Sequence, residues 1–278
     1  MLDPVFAPIN RLYGTHAQSA LADAHVAIIG VGGVGSWSVE AFARAGIGEL
    51  TLIDGDDICI SNSNRQLHAL AGQYGKAKVA VLAERVLAIN PNCRVHAIQE
   101  MLTIDSLERH LQRGYDFVLD ACDSLGVKVA LIAYCKRHKI KVLTVGAAGG
   151  RADASKIGIK DLSNTEQDKL LALVRMKLRD DFGFTRNPKR YFGVPAVFSL
   201  ENVRYPSPQG GVCFNRLEKT STEAGAGKLD CDGGLGVAVW VTASFGMQAA
   251  GEICRRLIER AELTAKQANT AASQPASS

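Results

Sequence analysis

The chain has 278 residues, of which 47% are hydrophobic and 22% charged, with 32 basic and 28 acidic side chains giving a net charge of +4. That length buries a core without metal or disulfide staples, and the composition excludes general disorder, collagen and coiled coil. The mild basicity permits a nucleic-acid partner without requiring one.

The N-terminal stretch MLDPVFAPINRL lacks the charged and apolar regions of a signal peptide, so none is expected. HVAIIG (25–30) is an apolar strand ending in glycine, residues 34–45 have helical spacing, and ELTLID (49–54) is the next strand. Residues 77–89 form a second helix stopped by Asn90-Pro91, followed by the strand CRVHAIQ (93–99). YDFVLDA (115–121), a helix over 126–138 and KVLTVGAAG (141–149) continue the alternation. Strand–helix alternation predicts an α/β fold, a Rossmann-like and mostly parallel sheet flanked by helices, over residues 1–150.

After Gly150 the rhythm breaks. Residues 151–262 read as an irregular α+β extension of the same domain that covers the substrate and closes with a helix over 236–262 returning to the sheet. Within it, Leu170, Leu171, Val174 and Leu178 recur at helical spacing and are expected in the core. Gly233–Ala250 is uncharged for 18 residues, but its four glycines and its polar Thr242, Ser244 and Gln248 favour a buried helix over a membrane span. No membrane contact is expected. Residues 263–278, with Lys266 as their single charge after Thr264, read as a disordered tail. The seven cysteines form no C-x-x-C pair, which predicts a reducing cytoplasmic setting and no structural zinc.

The chemistry concentrates in the first half. Gly30, Gly32, Gly33 and Gly35 lie between a strand and a helix, where glycines let a backbone approach phosphate. Asp54 ends the next strand, 19 residues beyond Gly35, and is placed to accept from a ribose hydroxyl. This much fits a nicotinamide dehydrogenase equally well. The segment that follows, with Asp56, Asn62, Arg65 and Gln66, adds an arginine fork and amides suited to ATP phosphates, which a dehydrogenase does not need. Lys78 at the start of a helix suits a triphosphate, and Asp123 just past a strand suits Mg²⁺; alternatively, Lys78 is a solvated helix residue and Asp123 a helix cap.

As an ordered set, GVGGVGS (30–36), LIDGDDICISNSNRQ (52–66), GKAKVAVLAERVLAINP (75–91) and VLDACDS (118–124) resemble the adenylating superfamily of ubiquitin-activating-like enzymes, which includes the activators of ThiS and MoaD. RLYGTHA, NRQLHAL, LIAYCKRHKI, GAAGG, DFGF and LDCDGGLGVAVWVTASFG extend the likeness, most closely to the tRNA threonylcarbamoyladenosine dehydratase branch. The resemblance implies ATP-dependent cyclisation of threonylcarbamoyladenosine in tRNA through an adenylated carboxylate. It implies that the four glycines form the phosphate loop, that Asp54 binds ribose and that Asn62, Arg65 and Lys78 hold phosphates. Asp123 would bind Mg²⁺, and Arg11 would reach the site from the second subunit of a homodimer.

The ubiquitin-like activators use a cysteine to take the activated chain, and Cys231 is the best candidate for that role here, although a buried thiol is the favoured reading; a sulfur-transfer protein is a further candidate partner. Two basic groups are candidates for tRNA: Lys136, Arg137, Lys139 and Lys141, and a set running from Lys169 to Arg190; solvated helix faces are the alternative. The competing functions are adenylation of a ubiquitin-like sulfur carrier, which would share every ATP residue, a nicotinamide-dependent oxidoreductase, and a nucleotide-sensing protein without turnover.

Overall fold

Strands separated by helices pair in parallel, because a helical crossover returns the chain to the same end of the sheet. The computed structural model describes residues 3–207, 210–214 and 235–272. Two short helices, α1 (Ala7–Tyr13) and α2 (Ala17–Ala22), precede β1 (His25–Ile29), α3 (Gly35–Ala45) and β2 (Glu49–Ile53). Then come α4 (Lys78–Ile89), β3 (Arg94–Ile98), α5 (Leu107–Leu111), β4 (Phe117–Asp120), α6 (Leu125–Arg137) and β5 (Val142–Val145). The second part adds β6 (Ile157–Asp161), α7 (Lys169–Phe182), β7 (Pro195–Ser199), the small pair β8 (Tyr205–Pro206) and β9 (Val212–Cys213), and α8 (Val239–Ala272).

Seven strands make one sheet in the order β3-β2-β1-β4-β5-β7-β6, parallel throughout except for β6, which runs antiparallel to β7. Both faces are covered. Val26, Ile28, Leu50, Leu52 and Leu119 meet α3, α4 and α8 on one side. Ala27, Ile29, Ile53 and Val118 meet α5, α6 and α7 on the other. Burial on both faces explains why the central strands read as continuous apolar runs.

The expected extension does return to the sheet, through β6, β7 and α8. Leu171, Val174 and Leu178 of α7 are fully buried, and Leu170 is partly so. Three differences stand out. The strand expected over 141–149 stops at Val145, because Gly146 to Gly149 turn away to line a cavity. The short helices α1, α2 and α5 carry too few turns to show a period. The last helix does not end at residue 262 but runs to Ala272, so the first part of the expected disordered tail is helical; its Ala, Leu, Lys and Gln are good helix formers.

The uncharged stretch before Ala250 begins outside the described residues and becomes the start of α8. There Val241, Phe245, Ala249 and Ala250 are buried in the core shared with α3. A Cβ on Gly246 would stand 2.5 Å from the Val34 carbonyl oxygen, and the Ser38 hydroxyl donates to the Gly246 carbonyl at 2.9 Å. The two helices therefore touch backbone to backbone. Among the described residues no helix is long and apolar enough to cross a membrane.

Candidate active site

The chain builds β1, β2 and β3 outward on one side of β1 and then crosses back to place β4 on its other side. At such a reversal the loops after adjacent strands diverge and leave a crevice at the carboxyl ends. A cavity of about 610 Å³ occupies that position, lined by the ends of β1, β2, β4 and β5.

Gly30 has φ +83°, and a Cβ on Gly35 would lie 1.9 Å from the Gly30 carbonyl oxygen, so the turn closes only with glycine at both positions. Gly32 and Gly33 face the cavity. The first turn of α3 has no side-chain cap. The helix dipole therefore favours an anion at this end.

Asp54 fixes the same loop: one carboxylate oxygen accepts from Val31 N–H at 2.8 Å and the other from Asp56 N–H at 2.9 Å. Lys78 opens α4, is almost fully buried, and donates to Asp56 at 2.7 Å. Arg65 is held by the Ser61 carbonyl at 2.8 Å and by Asn64 Oδ1 at 2.9 Å. Asp123 is exposed at the cavity mouth, just before α6. Ile53, Met101, Leu102 and Val127 give one region of the cavity an apolar lining suited to a base.

Beneath the site lies a fully buried ion pair. Lys128 of α6 donates to Asp120 at the end of β4 at 2.7 Å, and the Thr144 hydroxyl donates to the same carboxylate oxygen at 2.6 Å. Burial opposes the Lys128 charge, yet the Asp120 carboxylate more than offsets this and holds its pKa above the usual value. Cys122, on the cavity wall, donates its thiol to Asp120 at 3.0 Å. Burial first, and the Asp120 charge second, keep that thiol protonated and unsuited to nucleophilic sulfur chemistry.

The opposite wall is set by a second buried pair. Arg151 donates to the carbonyls of Ala147, Ser199, Glu201 and Gln167 and lies 3.7 Å from Asp168. Asp168 in turn accepts from Ala147 N–H at 2.9 Å and caps α7 through Leu171 N–H at 2.9 Å. The loop from Gly146 to Gly149 is thus bracketed from both sides.

The ThiF family model matches residues 7–276. The chain belongs to the ThiF family. The tRNA threonylcarbamoyladenosine dehydratase of Haemophilus influenzae is 48% identical over 255 residues, covering 92% of this chain and 94% of that protein. Its Escherichia coli counterpart is 45% identical over 256 residues, with the same two coverages. The E. coli dehydratase solved with ATP, and again with AMP, is 41% identical with TM-score 0.81, covering 94% of this chain and 98% of that one.

Most residues expected to serve a ThiF-family site converge on the cavity: Gly30, Gly32, Gly33, Asp54, Asp56, Arg65, Gln66, Lys78 and Asp123 all line it. Gly35 serves from behind as a packing residue. Asn62 does not line it; it is buried, and its Oδ1 accepts from Cys59 N–H at 3.1 Å, closing the turn that presents Asn64 instead. Arg11 is exposed on α1 and is not part of the lining. Cys231 lies outside the described residues. Ser61, Asn64, Ser124, the Gly146–Gly149 loop and Leu235 to Val237 also line the cavity without having been singled out from sequence. All of them fall within the sequence blocks that carry the family likeness, GAAGG being the loop, but nothing in those blocks tells which side chains face inward.

Proposed function

We propose that this chain is an ATP-dependent tRNA threonylcarbamoyladenosine dehydratase acting in the cytoplasm as a homodimer. The observation that carries this reading is one cavity that gathers the phosphate loop, Arg65, Lys78, Asp54 and Asp123, in a chain similar to dehydratases over nearly its whole length.

The donor set fits MgATP. The uncapped start of α3, Lys78 and Arg65 supply positive charge for phosphates, while Asp54 faces the ribose and the apolar lining takes the base. Asp123 would hold Mg²⁺, a hard cation that takes carboxylate oxygen and neutralises phosphate charge.

A carboxylate cannot expel oxide, so the substrate carboxylate must first attack the α-phosphorus of ATP, with pyrophosphate leaving. The side chain's own carbamoyl group then attacks the acyl carbon and AMP departs, a net loss of one water. The first step needs charge neutralisation by Arg65 and Lys78. The second joins groups of one molecule and needs positioning above all, which the bracketed Gly146–Gly149 wall provides. Arg11, which does not line its own cavity, is assigned to the partner subunit's site.

For tRNA docking the first basic group fits better than the second. Lys136, Arg137, Lys139 and Lys141 are exposed and form no ion pair among the described residues. In the second group Arg175 donates to Thr165, Arg179 lies over the Phe192 ring, and Arg186 pairs with Asp180 at 2.5 Å.

The deciding experiment measures AMP formation with and without tRNA carrying threonylcarbamoyladenosine, with the nucleoside product read by mass. One AMP per nucleoside, with loss of one water, is expected. AMP released with an unchanged nucleoside, stimulated instead by a Gly-Gly-tailed small protein, would overturn the assignment in favour of a sulfur-carrier adenylating enzyme.

A further inference from the structure

The other end of the sheet carries a cluster that ATP chemistry does not use. His25 opens β1 in register with Glu49 at the start of β2, and His96 on the edge strand β3 is in register with Thr51. The two-residue period of a strand puts all four side chains on one face. His96 Nε2 lies 2.8 Å from Glu49 Oε1, and His25 Nδ1 lies 3.6 Å from the same oxygen, beyond hydrogen-bond distance.

The Tyr115 hydroxyl donates to the His110 carbonyl at 2.9 Å. His25 Nε2 lies 2.9 Å from Thr51 Oγ1, and an Nε2–H donating to that hydroxyl holds the ring in place. A neutral ring in that tautomer carries its lone pair on Nδ1, beside a carboxylate oxygen that is also an acceptor. Tyr115 packs edge-on against the ring, with 4.7 Å between centres, and prevents it from turning away. Arg94 occupies the other carboxylate oxygen, Oε2, at 3.1 Å and leaves Oε1 available.

We propose that His25 Nδ1, Glu49 Oε1 and His96 Nε2 form a site for one divalent ion of the zinc class. The three donor atoms lie within 4.8 Å of one another. Bonds of about 2.0–2.2 Å to imidazole and carboxylate put donor atoms about 3.3–3.6 Å apart at tetrahedral angles, so a small shift of the half-exposed His96 ring closes the set around one ion. Two imidazoles with one carboxylate select zinc, cobalt or nickel over magnesium and calcium. The Thr51 contact to the far nitrogen of His25 is the support that ligating histidines require. On binding, His96 stops donating to Glu49 and carries its proton on Nδ1. The ion ties the edge strand β3, whose side chains are mostly exposed, to β2 and β1. This site is separate from the one assigned to Mg²⁺ at Asp123, which sits at the carboxyl ends of the strands.

The test uses the full chain, stripped by chelator and free of nucleotide. Zn²⁺ is titrated against a chromogenic chelator, and Co²⁺ is followed by its d–d absorption. One equivalent bound at micromolar concentration is expected, at least tenfold weaker in His96→Ala and in Glu49→Gln. Saturating Zn²⁺ should raise the thermal midpoint of the parent chain and leave that of His96→Ala unmoved. Unchanged ATP-to-AMP turnover in His96→Ala shows that this variant is folded, since its side chain is half-exposed and far from the cavity. Binding of equal strength in the parent and both variants, or a thiolate charge-transfer band with Co²⁺, places the ion on cysteine and overturns the site. Absence of binding at millimolar Zn²⁺ overturns it as well.

Discussion

Lys78 carries a buried positive charge at the first position of α4, the end of a helix where the dipole disfavours a cation. The carboxylate it pairs with, Asp56, is more than half exposed, so the pair adds little stability. Function explains the placement better than folding does. Lys78→Met is expected to leave the thermal midpoint unchanged or raised while slowing AMP formation by roughly 10²–10³-fold; a large loss of stability with activity retained would reverse that assignment. Lys78 also acts on His68, a buried imidazole whose two ring nitrogens have no hydrogen-bond partner among the described residues. Burial, and then the Lys78 charge, push the His68 pKa down to about 4. Between the ordinary value near 6.5 and about 4, the unfolded chain binds a proton that the folded chain refuses. This contribution is therefore intact above about pH 6.5 and is lost as pH falls toward 4. Urea midpoints recorded across that window should fall less steeply for His68→Leu than for the parent chain, and the His68 titration should move upward in Lys78→Met.

At the level of elements, the buried Lys128–Asp120 pair joins α6 to β4 directly under the candidate site. Lys128→Met strands the Asp120 charge and should cost about 3–5 kcal/mol in chemical denaturation. The double variant with Asp120→Leu should recover much of that loss, because removing both charges abolishes the desolvation cost. The sequence reveals the strands and the long helices because each buries a face, and burial imposes a period. It also reveals Gly30, Asp54, Arg65, Lys78 and Asp123, because they sit at strand and helix ends in a recognisable order. The end of β5 is not legible: Gly146 to Gly150 leave the sheet because Arg151 and Asp168 hold them, and Asp168 lies beyond any local window. Asn62 and Asn64 look interchangeable for a similar reason. Only the short turn over Ile60–Asn62 decides which amide faces inward.

For the molecule as a whole, two proposed assemblies give sharp expectations. If Arg11 crosses a symmetric dimer, mixing Arg11→Ala chains with Asp123→Ala chains restores up to about a quarter of parental activity, since half the dimers carry one complete site. Either variant alone stays inactive, and the mixture stays inactive if Arg11 serves its own chain. If tRNA lies across Lys136 to Lys141, charge reversal at Arg137 and Lys139 weakens binding of all tRNA substrates. The salt slope should then fall by about one for each phosphate that is no longer neutralised. The order in which the core is assembled has a further consequence. Phe42 of α3 and Phe245 of α8 belong to the same buried cluster, although about 200 residues separate them along the chain. At a synthesis rate of roughly 5–20 residues per second, that interval is on the order of 10–40 s. A ribosome thus holds out the finished nucleotide half with one face of α3 still bare until α8 emerges. Chains interrupted before Val239 should accordingly be recovered with chaperones or in aggregates rather than as a free ATP-binding half.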